Sequence, residues 1–171
     1  MSLKPAVSKN DHTQGNQNAD IVVVEYGDYQ CPYCGAAYPL LKELMKEFGT
    51  QIKFVFRNFP LSEIHEYARS AALAAEAANL QGKFWEMHDA IYENQEYLNE
   101  NFLLELAEKL DLNISQFKKD IESSALAEKV DSDFESGVLS GVNGTPSFFI
   151  NGNKFNGGAE DLLQLIGENV N

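Results

Sequence analysis

Two thiols separated by two residues, Cys31-Pro32-Tyr33-Cys34, are the most reactive pattern in the chain. Four residues in a turn bring two sulfurs within bonding reach, and the free N–H groups of a helix start stabilise a thiolate on the first of them. Cys31, at the expected exposed end, is therefore the predicted nucleophile. Cys34, one turn in, is the resolving thiol that would release a mixed disulfide by attacking Cys31. Pro32 suits the first helical turn, because its missing N–H leaves no helical bond unmade. The rival readings are half a zinc site and an inert bridge. The other soft ligands are His12, His65 and His88, none in a second paired motif, and structural zinc needs four ligands. A disulfide closing so short a loop would constrain the unfolded chain little. Redox chemistry is the better expectation. A second pattern, Gly144-Thr145-Pro146 before an apolar run, means little alone, since proline often opens a strand.

The elements around these residues are legible. Ile21-Val22-Val23-Val24 is a continuous β-branched run, suited to a strand buried on both faces, and Gly27 and Asp28 break it. After the cysteines, Tyr38, Leu41, Leu44, Met45 and Phe48 recur at helical spacing up to Gly49. Ile52 to Phe56 reads as a second strand, closed by Asn58 and Pro60. Strand, helix and strand at this spacing predict a βαβ unit with a right-handed parallel crossover, the thiols sitting where strand meets helix. From Ser62 to about Leu139 four or five helices are predicted: Tyr67 to Gln81, a stripe of Phe84, Met87, His88 and Ile91, one capped by Asn101, one capped by Asn113 with Gln116, and one carrying Leu126, Val130, Phe134 and Val138. The β pattern returns at Ser147 to Ile150, and Asn151-Gly152 predicts a type I′ hairpin. A last helix bears Leu162, Leu163 and Ile166. Met1 to Asp20 is polar and reads as loop.

Composition narrows the function. The 171 residues carry a net charge of −13 with 44% hydrophobic residues and 19 aromatics, as expected of one globular domain with a sizeable core. Such a surplus of negative charge opposes phosphate backbones and anionic headgroups, so neither nucleic acid nor a membrane surface is an expected partner. No stretch reaches the ~18 apolar residues of a membrane span, so no membrane integration is expected. The absence of a charged-then-apolar leader points to the cytoplasm.

Taken together, three segments resemble the DsbA-like thiol:disulfide oxidoreductases of the thioredoxin-fold superfamily. They are Glu25-Tyr26-Gly27-Asp28-Tyr29-Gln30 before the cysteines, Gln81-Gly82-Lys83-Phe84-Trp85, and Gly141-Val142-Asn143-Gly144-Thr145-Pro146-Ser147-Phe148-Phe149-Ile150. The resemblance runs from about Ile21 to Ile166. It implies an α/β thioredoxin fold, a mixed central sheet flanked by helices, with an inserted all-helical lobe. Residues 1–20 would be a polar extension, 21–61 and 140–171 the thioredoxin-like domain, and 62–139 the insertion.

The resemblance also implies a cis Thr145–Pro146 bond beside the thiols. Substrate would be held by Pro32, Tyr33, Thr145 and Pro146, with the Thr145 backbone pairing to an extended segment. Pro146 would crowd the thiols and discourage metal capture. Glu25 corresponds to an acid beneath the redox pair, where burial would raise its pKa and let it take the Cys34 proton. The implied activity is disulfide exchange with protein or peptide thiols, using a recycling partner and neither bound cofactor nor metal. It also implies the cell envelope, at odds with the missing leader.

One departure stands at Tyr33, where the best-known oxidases carry histidine; tyrosine offers only a neutral hydroxyl. Oxidase, isomerase and reductase directions are all compatible with the motif, since CxxC proteins on this fold span about −270 to −120 mV. The alternatives are a cytoplasmic thiol reductase or glutathione-linked enzyme, and a peptide-binding, chaperone-like module with incidental cysteines. His65 and His88 are expected on helices, bonded to backbone or water. Phe84, Trp85 and Met87 are expected in the core between insertion and sheet.

Overall fold

The computed structural model describes residues 1–170. Five strands, β1 (His12–Gly15), β2 (Ile21–Gly27), β3 (Ile52–Asn58), β4 (Ser147–Ile150) and β5 (Asn153–Phe155), form one mixed sheet in the order β1-β3-β2-β4-β5. β2 and β3 are parallel, and the remaining pairs are antiparallel. The parallel pair is joined by α1 (Pro32–Phe48), which completes the βαβ unit. This is an α/β thioredoxin fold.

β2 is central because it is apolar on both sides. Val23 enters one core with Phe54, Phe56, Leu41 and Leu44, whereas Val24 and Tyr26 enter another with Val55, Phe59 and Phe149. The period-2 alternation of a strand puts Glu25 on the Val23 face, the side on which α1 packs. An acid is thereby delivered into the larger core.

Between β3 and β4 lie α2 (Ala68–Leu80), α3 (Phe84–Glu93), a 3₁₀ turn (Gln95–Tyr97), α4 (Glu100–Lys109), α5 (Ile114–Ile121) and α6 (Ser124–Leu139). The alanine-rich face of α2 lets neighbouring helices approach closely: Ala71, Ala74, Ala75, Ala77 and Ala78 are all buried. Phe84 and Met87 are buried and Trp85 packs beside them, its indole N–H donating to the Thr13 carbonyl at 3.1 Å. α7 (Ala159–Val170) closes the chain against α1. Among the described residues no helix is long and apolar enough to cross a membrane.

The structure corrects several local expectations. Residues 12–15 are not loop: β1 pairs antiparallel with β3, His12 opposite Phe56. A polar four-residue edge strand has too little apolar periodicity to announce itself. Asn99, not Asn101, caps α4, its side chain accepting from Phe102 N–H at 2.9 Å. Asn113 caps α5 in the same way through Gln116 N–H. The α6 stripe is buried at Leu126 and Val130 and emerges at Val138. At the β4–β5 hairpin, Asn151 and Gly152 both adopt positive φ, +48° and +79°, as a type I′ turn requires.

Candidate active site

The thiols sit where β2 runs into α1. Cys31 is the N-cap of α1, Pro32 occupies its first turn, and Gly35 N–H donates to the Cys31 carbonyl at 3.0 Å. Asp28 builds the turn between strand and helix. Its Oδ1 accepts from Gln30 N–H at 2.7 Å and Cys31 N–H at 3.1 Å, and its Oδ2 accepts from Leu61 N–H at 2.8 Å and lies 2.8 Å from His65 Nδ1. The Asp28 backbone N–H in turn points at Cys34 Sγ, 3.5 Å away. From the other side Gln95 Nε2 donates to the carbonyls of Tyr29 (2.9 Å) and Cys31 (2.8 Å). That close approach needs a glycine at position 35, where a Cβ would collide with the Gln95 amide.

Cys31 is not exposed, as its place at the helix end suggested, but 3% accessible. The loop carrying Thr145 lies against it, with Cys31 Sγ 3.5 Å from the Thr145 carbonyl, and the Thr145–Pro146 peptide is cis. Cys31 and Cys34 are not bonded to each other. The Cys31 thiol is held down to about 5, chiefly by the hydrogen bond from Cys34, helped by Thr145 and the N–H groups of Cys34 and Tyr33 and opposed by burial. The Cys34 thiol goes the other way: burial, its hydrogen bond to Cys31 and the nearby Glu25 charge push it far up. Two chemically identical side chains three residues apart are thus separated into a thiolate and a thiol.

Glu25 lies within the core, 1% exposed, and its carboxyl is raised to about 8, first by burial and second by the Cys31 charge. Glu25 and Cys34 line one small cavity. Pro32 is exposed, Tyr33 is 76% exposed at the rim, and Thr145 and Pro146 are half-buried beside Cys31. The predicted residues therefore fall into two groups: Cys31, Cys34 and Glu25 inside, and Pro32, Tyr33, Thr145 and Pro146 around the opening.

Three residues of this site escaped the sequence reading. Asp28 had a signal, because an Asp three residues before a helix N-cap commonly accepts from the N–H groups that follow it. His65 and Gln95 had none: both reach the site from the segments after β3 and α3. His65, moreover, sits in a turn rather than on the expected helix, and its partner is a carboxylate rather than backbone or water.

Comparison with known proteins agrees with this architecture. A family model described as Thioredoxin matches residues 7–168, and the chain belongs to that family. Its structural neighbours are DsbA-like folds. A thioredoxin-like oxidoreductase from Silicibacter pomeroyi superposes with a TM-score of 0.79 at 28% identity, covering 95% of this chain and 94% of the other. BdbD from Bacillus subtilis gives 0.83 at 24% identity (98% and 96% covered), and the thiol-disulfide exchange protein alpha-DsbA2 from Wolbachia pipientis gives 0.82 at 22% (94% and 88%). Among curated relatives, a Na(+)/H(+) antiporter NhaA 1 of Salinispora arenicola is 44% identical over 155 residues, which are 91% of this chain and 24% of that protein. One of Mycolicibacterium vanbaalenii is 38% identical over 157 residues, 91% and 25% of the two chains. The chain thus spans about a quarter of the length of these relatives.

Proposed function

We propose that the protein is a thiol:disulfide oxidoreductase exchanging disulfides with protein or peptide substrates through Cys31 and Cys34. The observation that carries this reading is the opposite displacement of the two thiols, Cys31 down to about 5 and Cys34 far up, at one helix start. The Cys31 thiolate attacks a substrate disulfide, forming a Cys31–substrate mixed disulfide and expelling one substrate thiolate. Cys34 then gives its proton to the Glu25 carboxylate and attacks Cys31 Sγ, forming the Cys31–Cys34 bond and releasing the second substrate thiolate. In the opposite direction a substrate thiolate opens the Cys31–Cys34 bond, and Cys34 takes its proton back from Glu25. Electrons pass between dithiols and disulfides, so the reaction needs no bound cofactor. Pro32, Tyr33, Thr145 and Pro146 form the rim against which an extended substrate segment rests. The elements suit a division into a thioredoxin-like part (21–61 and 140–171) and a helical insertion (62–139), with 1–20 contributing the edge strand β1.

A Cys31 pKa of about 5 lies between the values of about 7 and about 3.5 that mark reducing and strongly oxidising members of the fold. The reduction potential is correspondingly expected midway, at about −200 mV. Equilibration against glutathione redox buffers, with the Cys31–Cys34 disulfide quantified by mass, measures it. Peptide binding and a cellular role that both survive in Cys31→Ala would overturn the reading and leave peptide binding as the role.

A further inference from the structure

Beneath the thiols, where β2, α1 and α3 meet, is a cavity of about 10 Å³ lined by Glu25, Cys34, Tyr38, Lys42, His88 and Tyr92 among others. Its size suits about one water molecule. Two polar atoms of its lining residues, His88 Nε2 and Tyr92 Oη, are buried and have no hydrogen-bond partner among the described residues. Native interiors seldom leave such atoms unpaired, and a buried water needs two to four polar neighbours of this kind.

His88 is connected outward as well as inward. Its Nδ1 lies 3.1 Å from Asp89 Oδ1, and Asp89 Oδ2 accepts from Lys42 Nζ at 2.6 Å. That outer pair is at the surface, Lys42 being 47% and Asp89 27% exposed. An imidazole whose Nδ1–H is given to a carboxylate presents Nε2 as an acceptor. Exchangeable groups therefore flank the cavity on both sides, Cys34 and Glu25 on one and His88, leading through Asp89 to the surface, on the other.

We propose that the cavity binds one water which, with His88 and Asp89, carries the Cys34 proton between Glu25 and bulk solvent. The inference rests on the exchange reaction above. When Cys34 Sγ attacks the mixed disulfide, the Cys31–Cys34 bond forms, the Cys31–substrate bond breaks, the substrate leaves as a thiolate, and the Cys34 proton passes to Glu25. Glu25 hands a proton through the water to His88 Nε2, while His88 releases its Nδ1 proton to Asp89 and so to solvent. Opening of the Cys31–Cys34 bond runs the same path inward. His88 and Asp89 do not touch the sulfurs; they are positioning residues acting through Glu25, and Tyr92 Oη holds the water.

The charges that bear on His88 are Asp89 on its own helix, Lys42 on α1 and His12 on β1, with Glu25 and Cys34 across the cavity. The rings of Tyr29, Tyr38 and Tyr92 pack against it. Burial, the largest influence, keeps the imidazole below its ordinary pKa, so His88 rests neutral and passes protons rather than storing them.

The test uses the full chain carrying a Cys31–glutathione mixed disulfide, with glutathione release timed across neutral pH in H2O and D2O. Asp89→Asn keeps a hydrogen-bond acceptor for His88 but removes the base, and being partly exposed it should fold. Release is expected to slow about tenfold, part of the 10²–10⁴ of general base catalysis, with a larger solvent isotope effect. His88→Gln should do the same. Wild-type rate, pH profile and isotope effect in Asp89→Asn would overturn the relay while leaving the exchange reaction intact. Failure of the unaltered protein itself to release glutathione would overturn both.

Discussion

Two glutamates are buried alike in this protein, Glu25 at 1% and Glu76 at 2% exposure, and their surroundings are opposite. Glu76 is fully engaged: both its oxygens lie 2.9 Å from His12 Nε2, and Oε1 also accepts from Asn58 Nδ2 at 2.7 Å. Asn58 bridges on to Asp133, which accepts from its backbone and side-chain N–H groups at 3.1 and 3.0 Å. Glu25 stands opposite Phe56 on the neighbouring strand, and among the described residues no hydrogen bond to its carboxyl is present. Burial without donors disfavours the charged form, and its pKa rises to about 8. Glu76 ties α2 to β1 and β3, while Glu25 is left free to gain and lose a proton near neutral pH.

If that contrast is correct, substitutions at the two ends should separate catalysis from stability. The largest effect is at the thiol: Cys31→Ala should abolish catalysed exchange in an insulin-reduction or glutathione assay while circular dichroism shows the fold retained. Glu25→Gln should slow resolution of the mixed disulfide about 10²-fold. It should also change the pH dependence of stability. With the folded pKa near 8 against 4.5 for the ordinary carboxyl, the unfolded chain ionises first, so the contribution of Glu25 to stability is fully present below about pH 4.5 and is lost as pH rises to 8, while the Cys31 thiol, held down to about 5, contributes in the opposite sense. At 1.4 kcal/mol per unit the loss is about 4–5 kcal/mol, and denaturant melts of Glu25→Gln should lack it. Glu76→Ala breaks the opposite end. It should cost about 3–5 kcal/mol by leaving buried polar partners uncompensated, with exchange per folded molecule unchanged. A loss of exchange there without a loss of stability would erase the distinction. The smallest effect is at the exposed rim, where Tyr33→His should leave stability unaltered and raise the reduction potential by about 30 mV, a tenfold change in the equilibrium with glutathione.

How much of this was legible depended on the range of the contacts. The βαβ unit, α1 and the hairpin follow from local spacing and turn chemistry, and the structure has them; the same spacing singles out Cys31 and Cys34 as the candidate redox pair. Glu25 was reached as a candidate only through resemblance, since a lone glutamate after four β-branched residues has no signature of its own. What stayed hidden is what arrives from afar. β1 is short and polar; His65 and Gln95 enter the site across 37 and 64 residues of chain. The partner of Glu76 lies 64 residues away on an edge strand. The burial of Cys31 was missed for the same reason, because the Thr145 loop against it is 114 residues distant. Periodicity reports which face of an element is buried and is silent on which polar group meets which.

The fold divides two cysteines into a thiolate and a thiol. Titrating the ultraviolet thiolate absorbance of the reduced protein, beside Cys31→Ala, tests it directly. A transition near pH 5 that disappears in the variant is the predicted result. A transition near the ordinary thiol value of about 8.5, with nothing at acid pH, would mean that the fold does not distinguish the two thiols.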